Sequence, residues 1–118
     1  MLFVESSHFT RTLLDHLTDE EYRGLQERLI SNPTAGDVMP GCGGLRKIRH
    51  GDPRRGKGRR GGLRIIYLYL PEPHWLFLLD LYGKDEQDDL SPQEKRVLAR
   101  LAGQIKDEVR TRLIKRTR

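Results

Sequence analysis

The stretch LRIIYLYLPEPHWLFLLDLY, residues 63–82, decides the fold. It holds two apolar runs, 63–70 and 75–82, rich in the β-branched and aromatic side chains that suit a pleated surface. Ile65, Ile66, Tyr67 and Tyr69 sit in the first run; Trp75 and Phe77 sit in the second. Only Pro71, Glu72, Pro73 and His74 separate them, and over so short a gap a β-hairpin is the cheapest connection. Upstream, residues 45–49 alternate between one set (Leu45, Lys47, Arg49) and another (Arg46, Ile48), which predicts a further strand. A glycine- and arginine-rich turn over 50–62 joins that strand to the hairpin, and a glycine-rich loop over 34–44 precedes it.

Outward from the strands the period changes to that of a helix. Phe9, Leu13, Leu14 and Leu17 predict a helix over 10–17. Thr18-Asp19-Glu20-Glu21 reads as a capping box that starts a second helix, with acids at the positive end of its dipole. Tyr22, Leu25 and Leu29 form its apolar stripe, and Asn32-Pro33 stops it. Ser91-Pro92-Gln93-Glu94 combines a serine cap, proline at the first helical position and a glutamate three residues on. Leu98, Leu101, Ala102, Ile105 and Val109 carry that last helix toward Leu113. Residues 1–5, MLFVE, read as a short first strand. The order β-α-α-β-β-β-α predicts a single α+β domain over 1–118, with helices on one face of a small, mostly antiparallel sheet.

Charge is distributed unevenly. The 118 residues carry 22 cations and 17 anions, for a net charge of +5. Residues 45–64 alone hold nine of those cations (Arg46, Lys47, Arg49, Arg54, Arg55, Lys57, Arg59, Arg60, Arg64) against Asp52. The rest of the chain is slightly acidic, apart from a smaller basic cluster from Arg110 to Arg118. So concentrated a patch, interleaved with Gly51, Gly56, Gly58, Gly61 and Gly62, suits a polyanion such as RNA. One cysteine, Cys42, excludes an intramolecular disulfide and reads as a thiol in a glycine-rich loop. No apolar run is long enough for a spanning helix, and residues 1–11 lack the pattern of a signal peptide, so the expectation is a cytoplasmic protein away from membranes.

Several residues stand out for chemistry. Arg64 opens an apolar strand on the face of Ile66, Leu68 and Leu70. It is either a guanidinium fork for a phosphate or an arginine neutralised by Asp80 across the hairpin. Tyr82, placed by simple alternation on the Leu78 and Asp80 face, is a rim aromatic or a stacking platform for a base. Lys84 stands beside it. His50 lies amid cations that favour its neutral form, as a general base requires. The other histidines show no metal spacing, and neither a phosphate-binding P-loop nor a G-x-S-x-G elbow occurs. No metal or other cofactor is expected.

Three pieces, GGLRKIR (43–49), RRGKGRRGGLRIIYLYL (54–70) and YGKDEQDDLSPQEKRVLARL (82–101), together resemble the RelE/HigB-like toxins of bacterial toxin–antitoxin pairs. The resemblance covers residues 37–101. It implies a small α+β toxin that cuts messenger RNA on the ribosome, and a cognate DNA-binding antitoxin. Arg64 matches the family's strand arginine that contacts the scissile phosphate. Lys57 falls where a basic residue commonly precedes G-x-R, and Tyr82 with Lys84 matches the Y-x-K piece. Asp85 stands where many relatives have asparagine, and no tyrosine follows Tyr82.

The implied chemistry is in-line attack of a ribose 2′-OH on its own phosphate. Arg64 would stabilise charge, Lys57 or His50 would act as base, and Lys84 or Tyr82 as acid. Arg46, Lys47, Arg49, Arg54, Arg55, Arg59 and Arg60 would hold the RNA backbone. Two other readings of the chain are a DNA gyrase-inhibiting toxin of the same superfamily and a non-catalytic RNA-binding module.

Overall fold

A computed structural model of the chain describes residues 1–51, 62–83 and 90–116. The elements are β1 (Leu2–Glu5), α1 (Ser7–His16), α2 (Asp19–Ser31), β2 (Asp37–Val38), β3 (Arg46–His50), β4 (Leu63–Leu70), β5 (Trp75–Gly83) and α3 (Pro92–Arg116). The strands form one sheet in the order β1-β5-β4-β3-β2. Its centre is the expected hairpin, with Leu70 opposite Trp75 at the turn and Leu63 opposite Gly83 at the open end. β1 pairs parallel with β5, and the other neighbours are antiparallel. The fold is α+β with an open, mixed sheet.

Local signals set the helix ends. Ser6 caps α1, its hydroxyl accepting from the Phe9 amide at 3.0 Å and donating to the Leu79 carbonyl at 2.8 Å. That cap starts α1 at Ser7, earlier than the apolar spacing alone indicates. The box at Thr18 is complete: the Glu21 amide meets Thr18 Oγ1 at 3.1 Å, and the Thr18 amide meets Glu21 Oε1 at 2.7 Å. Ser91 and Glu94 repeat the arrangement at the start of α3, at 3.1 and 2.9 Å. Each such cap typically contributes about 1 kcal/mol.

The helices do not all share a face. Phe9, Leu13, Leu25 and Leu29 of α1 and α2 pack with Ile48, Ile65, Tyr67, Leu76 and Leu78. Ala102 and its neighbours on α3 pack on the opposite face, with Ile66, Leu68, Leu79 and Tyr82. The expectation of helices on one face therefore holds for α1 and α2, and α3 corrects it. The reason lies in β4, whose first six residues are all buried. A strand apolar on both faces needs cover on both.

Two further details differ from simple reading. The loop over 34–44 contains the two-residue strand β2, which pairs Asp37 with Lys47 and Val38 with Arg46. In β5 the register slips between Ile66 and Tyr67 of its partner: Asp80 faces Ile66, Leu78 faces Tyr67, and Leu79 is skipped. This bulge inserts one extra residue and switches the alternation. Tyr82 thus joins Leu79 on the α3 face, away from Leu78, contrary to strict alternation.

Cys42 is fully buried in the α3-side core, between the loop and the helix. The loop approaches α3 closely at Gly43, which has φ +68°, and a Cβ there would lie 3.1 Å from the Ala102 Cβ. Glycine meets both the backbone sign and the space.

Candidate active site

Arg64 lies in the middle of a cross-strand row. It faces Arg49 on β3 and Tyr82 on β5. Its neighbour on the same face, Ile66, packs against the α3-side core, so the whole row lies on that face. Arg64 is only 1 % exposed, and it is the one buried charged side chain among the described residues. Its Nη1 donates to the Gly62 carbonyl at 2.8 Å. Burying a guanidinium is costly unless hydrogen bonds hold it, so this residue sits in a built position.

The row also answers the question of Asp80. It stands opposite Ile66, one pair beyond Tyr82 and Leu81. Its Oδ1 accepts from the Leu81 amide at 2.8 Å and lies 2.9 Å from His8 Nε2. The acid that simple alternation offered as a counter-charge for Arg64 is therefore engaged by β5 itself and by α1. Arg49, in contrast, is a like charge directly opposite Arg64, an unfavourable cross-strand pair in isolation.

The remaining candidates divide by face. Lys47 and Arg49 point to the α3 side with Arg64, as their partners Ile66 and Arg64 require. Arg46 and His50 alternate to the other side. Arg46 Nη1 donates to the Gly36 carbonyl at 2.8 Å, bracing the loop before β2. His50 faces α2, where Arg28 Nη1 lies 3.1 Å from its Nδ1. A guanidinium has no acceptor, so Nδ1 accepts. The fold does not bring His50 to Arg64. Tyr82 is 5 % exposed and packs with the α3-side core. Lys57, Lys84, Arg54, Arg55, Arg59 and Arg60 lie outside the described residues.

A search against protein-family models matches residues 7–117 to the RelE toxin of the RelE/RelB toxin–antitoxin system. The chain belongs to the RelE toxin family. As a RelE toxin it is the toxin of a toxin–antitoxin system, and membership implies an antitoxin partner. Among the described residues of this RelE toxin, no helix is long and apolar enough to cross a membrane.

One residue of the site region escaped sequence reading. Arg28, in the last turn of α2, donates to the Arg49 carbonyl at 2.7 Å as well as contacting His50. It holds the end of β3, within the RelE toxin's basic segment. Nothing in the local pattern marks it, because an exposed-looking arginine late in a helix is ordinary dipole complement.

Proposed function

We propose that the chain is an endoribonuclease that cuts messenger RNA on the ribosome, by attack of a ribose 2′-OH on the adjoining phosphate. The observation that carries this reading is Arg64: a guanidinium buried at 1 % exposure, tethered to the Gly62 carbonyl, with a second arginine directly opposite. A phosphate is the anion a guanidinium fork fits best. A donor already fixed in a low-dielectric setting needs no reorganisation when charge develops on the phosphoryl oxygens.

In this scheme Arg64 stabilises the extra negative charge of the transition state. Arg49 and Lys47 hold flanking phosphates on the same face. Tyr82, packed opposite Arg64, is a positioning residue that keeps the guanidinium in place. His50 is not assigned a proton, since it faces α2. The base and acid then fall to Lys57 and Lys84, as the family resemblance implies. The antitoxin would be a DNA-binding protein that covers or distorts the basic face, and the working compartment would be the cytoplasm.

The test is primer extension on messenger RNA after brief expression, with Arg64→Ala alongside. Cuts phased with the ribosome that vanish in a folded Arg64→Ala protein support the reading. A folded Arg64→Ala protein that still cuts overturns it. A DNA-damage response with no cleaved message points instead to gyrase inhibition.

A further inference from the structure

β1 is an outer edge of the sheet, and it carries none of the devices that keep an edge from pairing. Its residues, Leu2, Phe3, Val4 and Glu5, include no proline or lysine, and its register with β5 runs without a bulge. The one charge, Glu5, is already engaged: its Oε1 accepts from the Thr10 hydroxyl at 2.7 Å and its Oε2 from the Tyr22 hydroxyl at 2.8 Å. The Leu2 and Ser6 amides donate to the His74 and Leu78 carbonyls, so the even-numbered residues turn their backbone groups to β5. The N–H and C=O groups of Phe3 and Glu5 therefore face outward. No described strand pairs with them.

Beside this edge, on the α3 face, lies an apolar cleft of about 250 Å³. Leu2 and Val4 of β1, Trp75 and Phe77 of β5, and Ile105 and Val109 of α3 line it. Leu2 is 49 % exposed. The two charged groups of the cleft, Glu108 and Arg112, meet each other at 2.9 Å, so it bears no net charge. The strand cations lie toward the other side of the sheet: Arg46, Lys47 and Arg49 are on β3, with β4 and β5 between them and β1. A polyanion finds no counter-charge at β1, whereas an apolar, neutral strand edge does find one in another like itself.

We propose that β1 pairs with β1 of a second copy of this chain, antiparallel about a two-fold axis at Val4, so that two five-stranded sheets become one. Phe3 of each copy exchanges both backbone hydrogen bonds with Glu5 of the other, and the two Val4 residues form a close pair without hydrogen bonds between them. The axis is perpendicular to the sheet. Both α3 helices then lie on one face, and the two apolar clefts meet over the Val4 pair. One patch serves both copies, as a two-fold interface requires. Charge favours this partner. The two β3 strands stand seven inter-strand steps apart in the joined sheet, about 34 Å. That is several times the screening length of about 8 Å in physiological salt. Two chains of net charge +5 can thus join here without setting one basic segment against the other. Arg64, on β4, stays two strands in from the seam. The pairing is independent of the ribonuclease reading.

Light scattering on the purified full chain, over a concentration series, reads the mass directly. The expected result is twice the mass of one chain. Val4→Lys and Val4→Glu each set like charges opposite one another across the axis, which is destabilising. Each should be monomeric, with circular dichroism as the check on folding, and an equal mixture of the two should regain the double mass. Val4→Cys is the milder variant. Opposed residues of such a pair have Cα atoms about 4.5 Å apart, within disulfide reach. Under a mild oxidant Val4→Cys should run as a covalent dimer on a non-reducing gel. Val38→Cys, exposed on the opposite edge, should stay single under the same conditions. Cys42 is buried and joins neither bond. A chain that is monomeric throughout the series overturns the proposal, including one whose β1 is taken by a strand of a different protein. A double mass that persists in folded Val4→Lys overturns it as well, and so does a folded Val4→Cys that cross-links no faster than Val38→Cys.

Discussion

Arg64 and Tyr82 stand directly opposite each other in β4 and β5, both buried on the face that α3 covers. The pair separates packing from chemistry. Arg64→Ala should lower cutting by about 10²–10³-fold, the usual loss for one preorganised donor. Arg64→Lys should not restore it, because an ammonium lacks the planar fork. Tyr82→Phe should keep the fold and most of the activity, whereas Tyr82→Ala should lose about 3–5 kcal/mol of stability, as large aromatic deletions do. Cleavage assays and denaturant melts on the four variants check this. A Tyr82→Phe protein that is stable and inactive would give the hydroxyl a chemical role.

Arg28 should matter for activity more than its place on α2 indicates. Its bonds to the Arg49 carbonyl and to His50 fix the end of β3. Hydrogen bonds from charged donors contribute about 1.5–3 kcal/mol. Arg28→Ala should therefore lower both stability and cutting, and Arg28→Lys should recover part of each. His50→Ala should be milder, because Arg28 keeps its bond to the Arg49 carbonyl. Melts and single-turnover cutting rates distinguish the three variants.

Tyr67 ties the loop before β2 to the sheet. Its hydroxyl donates to the Pro33 carbonyl at 2.7 Å and accepts from the Gly36 amide at 2.9 Å. Tyr67→Phe leaves that buried amide short of a partner and should cost about 1–3 kcal/mol. Gly36→Ala should be at least as harmful: its Cβ would lie 2.9 Å from Tyr67 Cε1 and 3.1 Å from the Lys47 carbonyl. Urea melts give both values.

Alkaline pH should expose the buried phenols. Burial first, and then hydrogen bonding to and the charge of Glu5, raise the Tyr22 pKa above its ordinary value. Burial raises Tyr67 as well, against the opposing Gly36 amide and the nearby Arg46 and Arg28. The native state thus keeps protons that the unfolded chain releases above about pH 10. Their contribution is complete below that pH and is lost as pH rises toward the folded values. Stability should fall above about pH 10, and Tyr22→Phe should make the fall shallower. Denaturant midpoints at stepped alkaline pH would show it.

The two capping boxes should act independently. Thr18→Ala and Ser91→Ala should each cost about 1 kcal/mol. The sites are on different helices and share no partner, so the double variant should be close to the sum. A thermal melt series tests both statements.

Much of this was legible in residues because the signals were local. The hairpin follows from two β-rich runs and a four-residue gap. Both boxes follow from side chains that bond their own helix within three residues. Arg64 was legible as a charge opening an apolar strand. What escaped was decided at a distance. β2 is two residues long, too short to show a period, and exists only because β3 offers Lys47 and Arg46 as partners. The slip at Leu79 leaves no mark in an unbroken apolar run, yet it sets which way Tyr82 faces. His50 and Arg46 turn away from Arg64 through alternation whose sign is set by packing, which charge counting does not contain. The face that α3 covers was foreseeable in principle, since a strand as uniformly apolar as β4 requires a cover on each side.

The parallel seam between β1 and β5 has a consequence during synthesis. The Ser6 hydroxyl rests on the Leu79 carbonyl, 73 residues onward. β1 therefore leaves the ribosome before β5 and waits for it to pair. Such distant closure slows assembly, and α1, hung from that seam by Ser6, waits with it. A nascent chain acquires its finished sheet, and with it the row that sets Arg64 opposite Tyr82, only when β5 has emerged.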